Sequence, residues 1–153
     1  MTESELEKMV EQIGFVTDGL SSNEIEQVLK SDTINAIFYK SHCGFWLNAL
    51  QSIQQKSIPG DVVQCGVWKG GTACLWKSIM NKIELEREMW LADFYGKNVS
   101  IKIDEEQTKN KKSLELAAKF KITPPDKNFV ENNFRKFGVW DNRIHFLVGD
   151  VAD

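Results

Sequence analysis

The run of residues 61–72 restricts the possible folds more than any other part of the sequence. It opens with a short β-rich apolar stretch, 61–67, passes through glycine positions, and continues into residues with helical periodicity. A continuous apolar run of this length is typical of a strand buried on both faces of a parallel sheet. The pattern therefore predicts a strand, a glycine-rich turn and a helix in immediate succession.

The residues that follow extend this beginning into an α/β fold. A helix is predicted over 73–82, a second strand over 88–93, a helix over 128–137 and a third strand over 143–149. Strands that alternate with helices indicate a parallel sheet with right-handed crossovers. We therefore predict a Rossmann-like parallel sheet with helices on both faces, interrupted by a polar surface excursion at 96–112.

Three helices are predicted ahead of the first strand. Their predicted bounds are 3–13, 21–30 and about 33–56. Apolar residues, including Phe45, recur at helical spacing in the third helix, so we expect them to form one buried stripe. Residues 1–57 are thus expected to form an N-terminal helical region, and 58–153 an incomplete cofactor-binding half-domain.

The carboxyl end of the predicted sheet carries residues suited to bind a ligand. A strand that enters a glycine turn and then a helix presents backbone N–H groups at the helix N-terminus. Gly66, with Gly70 or Gly71, would let a ligand approach the backbone where any Cβ would clash. Asp93 ends the second strand and is placed to accept both hydroxyls of a ribose. Because ligands of open α/β sheets bind at the carboxyl ends of the strands, we expect a nucleoside site there.

Two kinds of nucleoside cofactor fit this arrangement, a nicotinamide dinucleotide and S-adenosylmethionine, and the glycine spacing distinguishes them. A dinucleotide site requires G-x-G-x-x-G, with an acid about 20 residues further on. Here the spacing is G-x-x-x-G-G, and Asp93 follows Gly66 by 27 residues. S-adenosylmethionine has no pyrophosphate and can use this looser turn, so the spacing favours the methyl donor. A nicotinamide-dependent oxidoreductase stays open as a less favoured alternative.

The stretch from Pro59 to Gly71, PGDVVQCGVWKGG, closely resembles the first motif of the macrocin O-methyltransferase family, PGDVVECGVWRGG. Two further stretches, 90–94 and 132–149, resemble the family's second strand with its ribose-binding acid and its third strand. The resemblance runs from about Ile58 to the last residue, and the N-terminal helices fit the family's extra helical region. It implies S-adenosylmethionine-dependent methylation of a hydroxyl on a sugar or natural-product scaffold, assisted by a divalent metal such as magnesium.

The resemblance also implies which residues contact the cofactor. These are the residues that match the family's cofactor-binding segments: Gln64, Cys65, Gly66, Val67, Trp68, Gly70, Gly71, Asp93, Phe94, Gly149 and Asp150. Gln64 departs from the family, which usually has glutamate near the methionine part of the cofactor. An amide can hydrogen-bond there but cannot pair with the ligand's ammonium as a carboxylate does. Residues 94–98 also depart from the family's usual turn, D-S-F-x-G-L-P.

The family's catalytic residues and metal ligands follow a fourth strand, which this sequence does not reach. The resemblance therefore implies a sheet truncated after the third strand, with no catalytic residue or metal ligand in this chain. An incomplete sheet leaves a strand edge unpaired. Three explanations stay open: truncation, a split enzyme completed by a partner that carries the C-terminal half, and a homo-oligomer. A non-catalytic remnant or interaction module that binds S-adenosylmethionine is the alternative function.

Charge and composition restrict the remaining classes of function. The 153 residues carry a net charge of −3, which argues against a nucleic-acid binder. No apolar run approaches the ~20 residues that span a bilayer, and the acidic N-terminus lacks the features of a signal peptide. The three cysteines are an odd number without zinc-site spacing, and they suit a reducing compartment. We expect a cytoplasmic protein with a small-molecule substrate and no nucleic-acid or membrane partner.

Two tryptophans and two histidines could have either a structural or a functional role. Trp68 is equally compatible with a core position and with stacking on a ligand, whereas Trp76 is assigned to the core. No second base or orienting acid accompanies His42, so a structural role is predicted for it. His145 alternates with apolar residues in the third strand and is also assigned a structural role.

Overall fold

The computed structural model describes residues 1–13, 40–96 and 125–149, together with the single helical positions 23 and 27. Its helices and strands, in chain order, are α1 (Glu3–Ile13), α2 (Lys40–Gln55), β1 (Val62–Cys65), α3 (Gly71–Lys82), β2 (Met89–Asp93), α4 (Lys127–Lys136) and β3 (Ile144–Val148). The bounds agree with the predicted ones to within two residues wherever both ends are described. The predicted start of α2, most of the helix at 21–30 and the excursion at 96–112 lie outside the described residues.

The three strands form one parallel sheet in the order β1-β2-β3. Val62 is opposite Met89, which is opposite Ile144, so the strands begin in register at one edge and end together at the other. Each crossover contains a helix, α3 between β1 and β2 and α4 between β2 and β3. The predicted α/β, Rossmann-like architecture is confirmed.

One face of the sheet is covered by the main hydrophobic core. Met89 and Leu91 are fully buried there, and they belong to one cluster with apolar side chains from each of the four helices bounded above: Leu6, Val10, Leu47, Leu50, Leu75, Ile79, Val130 and Phe134. Burying a side chain of this size contributes roughly 1.5–3 kcal/mol. The crossover helices are therefore held against the sheet chiefly by this face.

The opposite face of the sheet is more open within the part of the chain that the structure describes. Val63 is 53% exposed and Leu147 45% exposed, and Cys65 is also exposed. The prediction that β1 is buried on both faces is therefore wrong for Val63 and Cys65. An apolar strand is suited to burial on both faces, but its own sequence does not decide which face another element covers.

The buried stripe of α2 also differs from the predicted one. Cys43, Leu47 and Leu50 are buried, whereas Phe45, which was assigned to the stripe, is 69% exposed. Apolar residues occur on more than one side of this helix, and docking beside α3 selects the side that is buried. The periodicity thus predicted the helix correctly but assigned Phe45 to the wrong face.

Charged side chains are paired near the amino end of the sheet. Lys77 in α3 is almost completely buried, and its Nζ lies 2.7 Å from Oδ2 of Asp141, just before β3. Burial by itself raises the pKa of Asp141, but the Lys77 hydrogen bond, the Arg143 backbone N–H and both positive charges outweigh it and lower that pKa. Arg143 also pairs with Glu86, at 3.3 Å.

The same end of the sheet holds an aromatic and imidazole pair. Trp90 stacks on His145, its partner in the register, with ring centroids 4.4 Å apart. Trp90 Nε1 donates to Asp61 Oδ2 at 2.9 Å, and His145 Nε2 lies 2.5 Å from Oε2 of Glu88. The structural role predicted for His145 agrees with these contacts.

Candidate functional site

The loop between β1 and α3 follows an unusual backbone path. Gly66, Trp68 and Gly70 all have positive φ, at 77°, 52° and 85°. The Gly70 N–H donates to the Val67 carbonyl at 2.9 Å and closes the turn before α3 begins. Left-handed backbone suits glycine, but it costs a residue with a Cβ free energy. Trp68 is therefore the strained position of this loop.

The two glycines of the loop have different surroundings. A Cβ on Gly66 would meet nothing within 4 Å, whereas a Cβ on Gly70 would lie 3.0 Å from Cγ1 of Val130 and 3.5 Å from the Phe134 ring. Gly70 is thus required for the close packing of α4 as well as for its backbone conformation. Of these two glycines, only Gly66 borders open space. A ligand was predicted to approach the backbone closely at both, and the structure leaves room for it at Gly66.

A buried asparagine in α4 supports the same loop. Asn133 is 8% exposed, and its Nδ2 donates to the Lys69 carbonyl at 2.9 Å. Sequence reasoning did not select this residue. It lies between Val130 and Phe134 on the apolar side of its helix. A polar residue among apolar positions was the one sign in the sequence that it makes a buried hydrogen bond.

Gln64, the last but one residue of β1, has an unpaired buried acceptor. The residue is 7% exposed, and its Nε2 donates to the Gly66 carbonyl at 3.1 Å. Its Oε1 is buried and has no hydrogen-bond partner among the residues that the structure describes. Because a buried acceptor without a donor costs free energy, this oxygen suits a ligand that brings an N–H group.

Asp93, at the end of β2, binds the loop that follows β1. Its Oδ2 accepts the Val67 N–H at 2.6 Å and the Trp68 N–H at 2.9 Å, and its Oδ1 accepts the Phe94 N–H at 2.7 Å. A carboxylate offers about four acceptor positions, so three of them are filled by backbone groups. The remaining position, on Oδ1, suits one ribose hydroxyl. The sequence predicted that Asp93 accepts both ribose hydroxyls, and this stays a prediction.

The turn after β2 is also left-handed. Tyr95 has φ 45° and Gly96 has φ 74°, and the Tyr95 hydroxyl donates to the Leu91 carbonyl at 2.8 Å. Burial, reinforced by the negative charge of Asp93, raises the pKa of Tyr95, so this hydroxyl keeps its proton. Phe94, a predicted cofactor contact, is half-buried here, whereas residues 97 and 98 lie outside the described part of the chain.

The end of β3 completes this edge of the sheet. The Gly149 N–H donates to the Asp93 carbonyl at 3.2 Å, which places Gly149 beside β2. Asp150, the last predicted contact, lies outside the described residues. Of the other predicted contacts, Val67 is buried and Trp68 half-buried. The structure thus brings the ends of all three strands and the start of α3 together at one edge.

The remaining candidate side chains are not part of this edge. Trp76 packs with the core and lies edge-on to Trp46, with ring centroids 5.9 Å apart, as its core assignment predicted. The side chain of His42 lies outside the described set. Among the described residues, no group of three or more His, Cys, Asp or Glu side chains is arranged to hold a metal ion. No helix in the described ranges is long and apolar enough to cross a membrane.

Comparison with known proteins identifies the family. A family model described as macrocin-O-methyltransferase (TylF) matches residues 45–153, which is more than half of the chain. The fold is that of a Rossmann-like methyltransferase, and the chain belongs to the macrocin O-methyltransferase family. The resemblance stated from the sequence is thereby confirmed.

Individual relatives agree with this assignment. Mycinamicin III 3''-O-methyltransferase from Micromonospora griseorubida is 26% identical over 107 residues, covering 69% of this chain and 42% of that protein. Demethyldecarbamoylnovobiocin O-methyltransferase from Streptomyces niveus is 25% identical over 121 residues, covering 74% and 45%. The chain therefore spans less than half the length of these curated relatives.

A solved structure supports the fold independently. The O-methyltransferase NovP superposes with a TM-score of 0.68 at 20% sequence identity, covering 95% of this chain and 63% of that one. At this level of identity the likeness concerns the fold alone.

Proposed function

We propose that this chain binds S-adenosylmethionine at the carboxyl edge of its sheet and forms the cofactor-binding part of an O-methyltransferase. The acceptor is a hydroxyl group of a sugar or another natural-product scaffold, the class of molecule named for the curated relatives. The observation that carries the proposal is the buried, unpaired Oε1 of Gln64 beside the open space at Gly66. Membership of the family supports the methyl-transfer chemistry.

Each part of the cofactor has a suitable partner at this edge. Gln64 Oε1 would accept an N–H of the methionine ammonium, which removes the cost of the unpaired oxygen. Gly66 would lie against the ligand because nothing fills the space a Cβ would take. Oδ1 of Asp93 would accept one ribose hydroxyl. Phe94, whose N–H donates to that oxygen, and Gly149, whose N–H donates to the Asp93 carbonyl, would be the neighbours of the nucleoside.

The methyl-transfer step places specific demands on the site. When bound, S-adenosylmethionine supplies an electrophilic methyl group, and an acceptor hydroxyl must lie in line with it. The described residues of this chain would hold and orient the cofactor. We infer that the base that activates the hydroxyl, and the ligands of any divalent metal such as magnesium, come from residues outside the described ranges.

A titration calorimetry experiment on the full 153-residue chain tests this proposal. We expect S-adenosylmethionine and S-adenosylhomocysteine to bind, and NADH not to bind. Gln64→Ala is expected to weaken both amino-acid-bearing ligands by about tenfold, corresponding to one lost hydrogen bond to a charged group. The same change should leave 5′-methylthioadenosine, which has no ammonium, unaffected.

The exposed glutamine of α2, Gln54, provides the matched control, since its side chain donates to the Ile83 carbonyl after the last residue of α3, at the end of that helix away from the site. A folded chain that binds NADH and neither S-adenosylmethionine nor S-adenosylhomocysteine would reverse the assignment. Equal losses for S-adenosylmethionine and 5′-methylthioadenosine in Gln64→Ala would instead remove the role given to Gln64.

A non-catalytic protein that binds S-adenosylmethionine is a second candidate. The observation in its favour is that the buried side chain at position 64 is a neutral amide rather than a carboxylate. Cofactor binding without methyl transfer, measured on a protein that contains both this chain and the rest of a family-length sheet, would support this candidate. Turnover of a hydroxylated acceptor by the same protein would exclude it.

A further inference from the structure

The Asp93 carboxylate lies against the β1–α3 loop. Oδ2 of Asp93 lies within hydrogen-bonding distance of two consecutive backbone nitrogens, those of Val67 and Trp68. Two successive N–H groups that converge on one oxygen form a small anion-binding concavity. In this protein the anion in that concavity is the protein's own side chain.

The same loop has a backbone conformation that needs external support. Trp68 is left-handed at φ 52°, a conformation that side chains with a Cβ rarely adopt unless the surroundings impose it. The bonds to Asp93 begin at the Trp68 N–H itself and at the N–H immediately before it. They therefore act directly on the strained peptide.

Backbone bonds anchor Asp93 on both sides. The Gly66 N–H donates to the Ala92 carbonyl at 2.9 Å, which continues the β1–β2 ladder up to the turn. The Gly149 N–H donates to the Asp93 carbonyl, so β3 is tied to the same residue. Because its backbone is fixed between β1 and β3, Asp93 can impose a conformation on the loop.

We propose that Asp93 is a positioning residue. By accepting the hydrogen bonds of the Val67 and Trp68 N–H groups, it sets the β1–α3 loop in its binding conformation before the cofactor arrives. Its influence on cofactor affinity, which rests on the function proposed above, then acts mainly through the loop. A ribose contact through the one remaining acceptor position is an addition to this role. The two N–H groups are correspondingly occupied and do not bind the ligand.

The first test uses no cofactor. Amide hydrogen exchange, followed by NMR on the full chain, is compared for wild type, Asp93→Ala and the control Asp61→Ala, which removes a carboxylate at the opposite end of the sheet. We expect Val67 and Trp68 to exchange at least about tenfold faster in Asp93→Ala and at the wild-type rate in the control. Unchanged rates in a folded Asp93→Ala protein would overturn the proposal.

Asp93→Asn keeps the test decisive if the alanine variant does not fold. The amide retains one oxygen acceptor but loses the charge, so both N–H bonds should weaken. We expect the Val67 and Trp68 amide protons to shift upfield while the resonances of Met89 and Leu91 in β2 stay in place. Amide shifts at the loop that equal those of wild type would contradict the proposal.

A rescue experiment separates positioning from ribose binding. Trp68→Gly removes the Cβ that makes the left-handed backbone costly, so a loop with glycine there should depend less on Asp93. We expect Asp93→Ala to lower S-adenosylhomocysteine affinity at least about threefold less in the Trp68→Gly background than in wild type. If Asp93→Ala lowers S-adenosylhomocysteine affinity equally in both backgrounds, Asp93 does not act by supporting the left-handed backbone of Trp68.

The last test varies the ligand instead of the loop. Asp93→Ala is expected to weaken the 2′,3′-dideoxy analogue of S-adenosylhomocysteine by about tenfold, although this analogue has no ribose hydroxyls for Asp93 to accept. A loss for S-adenosylhomocysteine alone would make Asp93 a ribose ligand and overturn the proposal. If wild type binds neither ligand, the proposed function fails, and the exchange experiment still decides the role of Asp93.

Discussion

The two ends of the parallel sheet are stabilised by different kinds of interaction. At the amino end, side chains of opposite charge pair with one another, as Lys77 does with Asp141 and Arg143 with Glu86. At the carboxyl end, left-handed turns are held by backbone N–H groups that donate to a single carboxylate, Asp93. Left-handed residues that carry a Cβ occur at both ends, but among the described residues a buried acceptor without a hydrogen-bond partner lies only at the carboxyl end.

This difference suggests a division between stability and binding. Residues held in strained backbone conformations cluster at functional sites, because pre-organisation for a ligand opposes local relaxation. Ion pairs remote from the ligand have no such constraint. Substitutions at the amino end should therefore change the free energy of unfolding, and substitutions at the carboxyl end should change ligand affinity.

The largest expected effect is at Lys77, because its substitution removes both the ion pair with Asp141 and an almost completely buried side chain, which leaves a cavity. Lys77→Ala should lower the free energy of unfolding by about 3 kcal/mol in chemical denaturation experiments. The matched control is Lys82→Ala in the same helix, since its pair with Glu5 is exposed and should change stability much less. Similar losses in the two variants would contradict the contrast between a buried and an exposed pair.

The two loop glycines provide a test within the carboxyl end. Gly70→Ala places a Cβ 3.0 Å from Val130 in left-handed backbone, so a loss of about 2 kcal/mol in stability is expected. The Cβ of Gly66→Ala meets no neighbour, so this variant should lose less stability than Gly70→Ala. It should nevertheless lower S-adenosylhomocysteine affinity more than Gly70→Ala does. Denaturation and calorimetry on both variants check this. Weaker binding in Gly70→Ala than in Gly66→Ala would place the ligand elsewhere.

The pH dependence of stability tests the amino end. The pKa of Asp141 is lowered in the folded protein from its usual value of 3.8, so its ionised form favours folding. That contribution is present at higher pH and is lost as pH falls through the folded pKa. The difference in unfolding free energy between wild type and Asp141→Asn should therefore shrink from about pH 6 to about pH 3. A constant difference would show that the charge of Asp141 is unimportant.

The smallest expected effect is a gain in binding at Gln64. Gln64→Glu introduces a carboxylate that can pair with the methionine ammonium, so S-adenosylmethionine affinity should rise about fivefold, or about 1 kcal/mol. The variant should also be less stable without ligand, because the carboxylate replaces an amide that donates to the Gly66 carbonyl. Calorimetry and denaturation measure the two changes. A fall in affinity would indicate that the ammonium lies away from position 64.

Much of the fold could be predicted from local patterns. The change from helical spacing to a short apolar run at 61–67 predicted β1, and the strand-helix-strand order predicted a parallel sheet, as observed. The faces were less predictable. Phe45 and Cys65 are apolar and were expected inside, but exposure depends on which neighbouring element docks against each face.

The candidate site was predictable in composition but not in its bonds. The motif at 59–71 indicated the loop, and Asp93 was singled out at the end of β2. The bonds from the Val67 and Trp68 N–H groups to Asp93 could not be predicted, because they join residues that only the folding of β1 beside β2 brings together. The role of Gly70 in packing against Val130 depended in the same way on where α4 docks.

By itself, the sequence determined the order of helices and strands, the parallel sheet and the position of the glycine loop, because these depend on residues close together in the chain. The tertiary structure alone decided that Lys77 is buried against Asp141 and that the carboxylate of Asp93 is used largely by the protein's own backbone. These contacts join residues distant in sequence, and their free energies depend on burial and distance. Local periodicity encodes neither quantity.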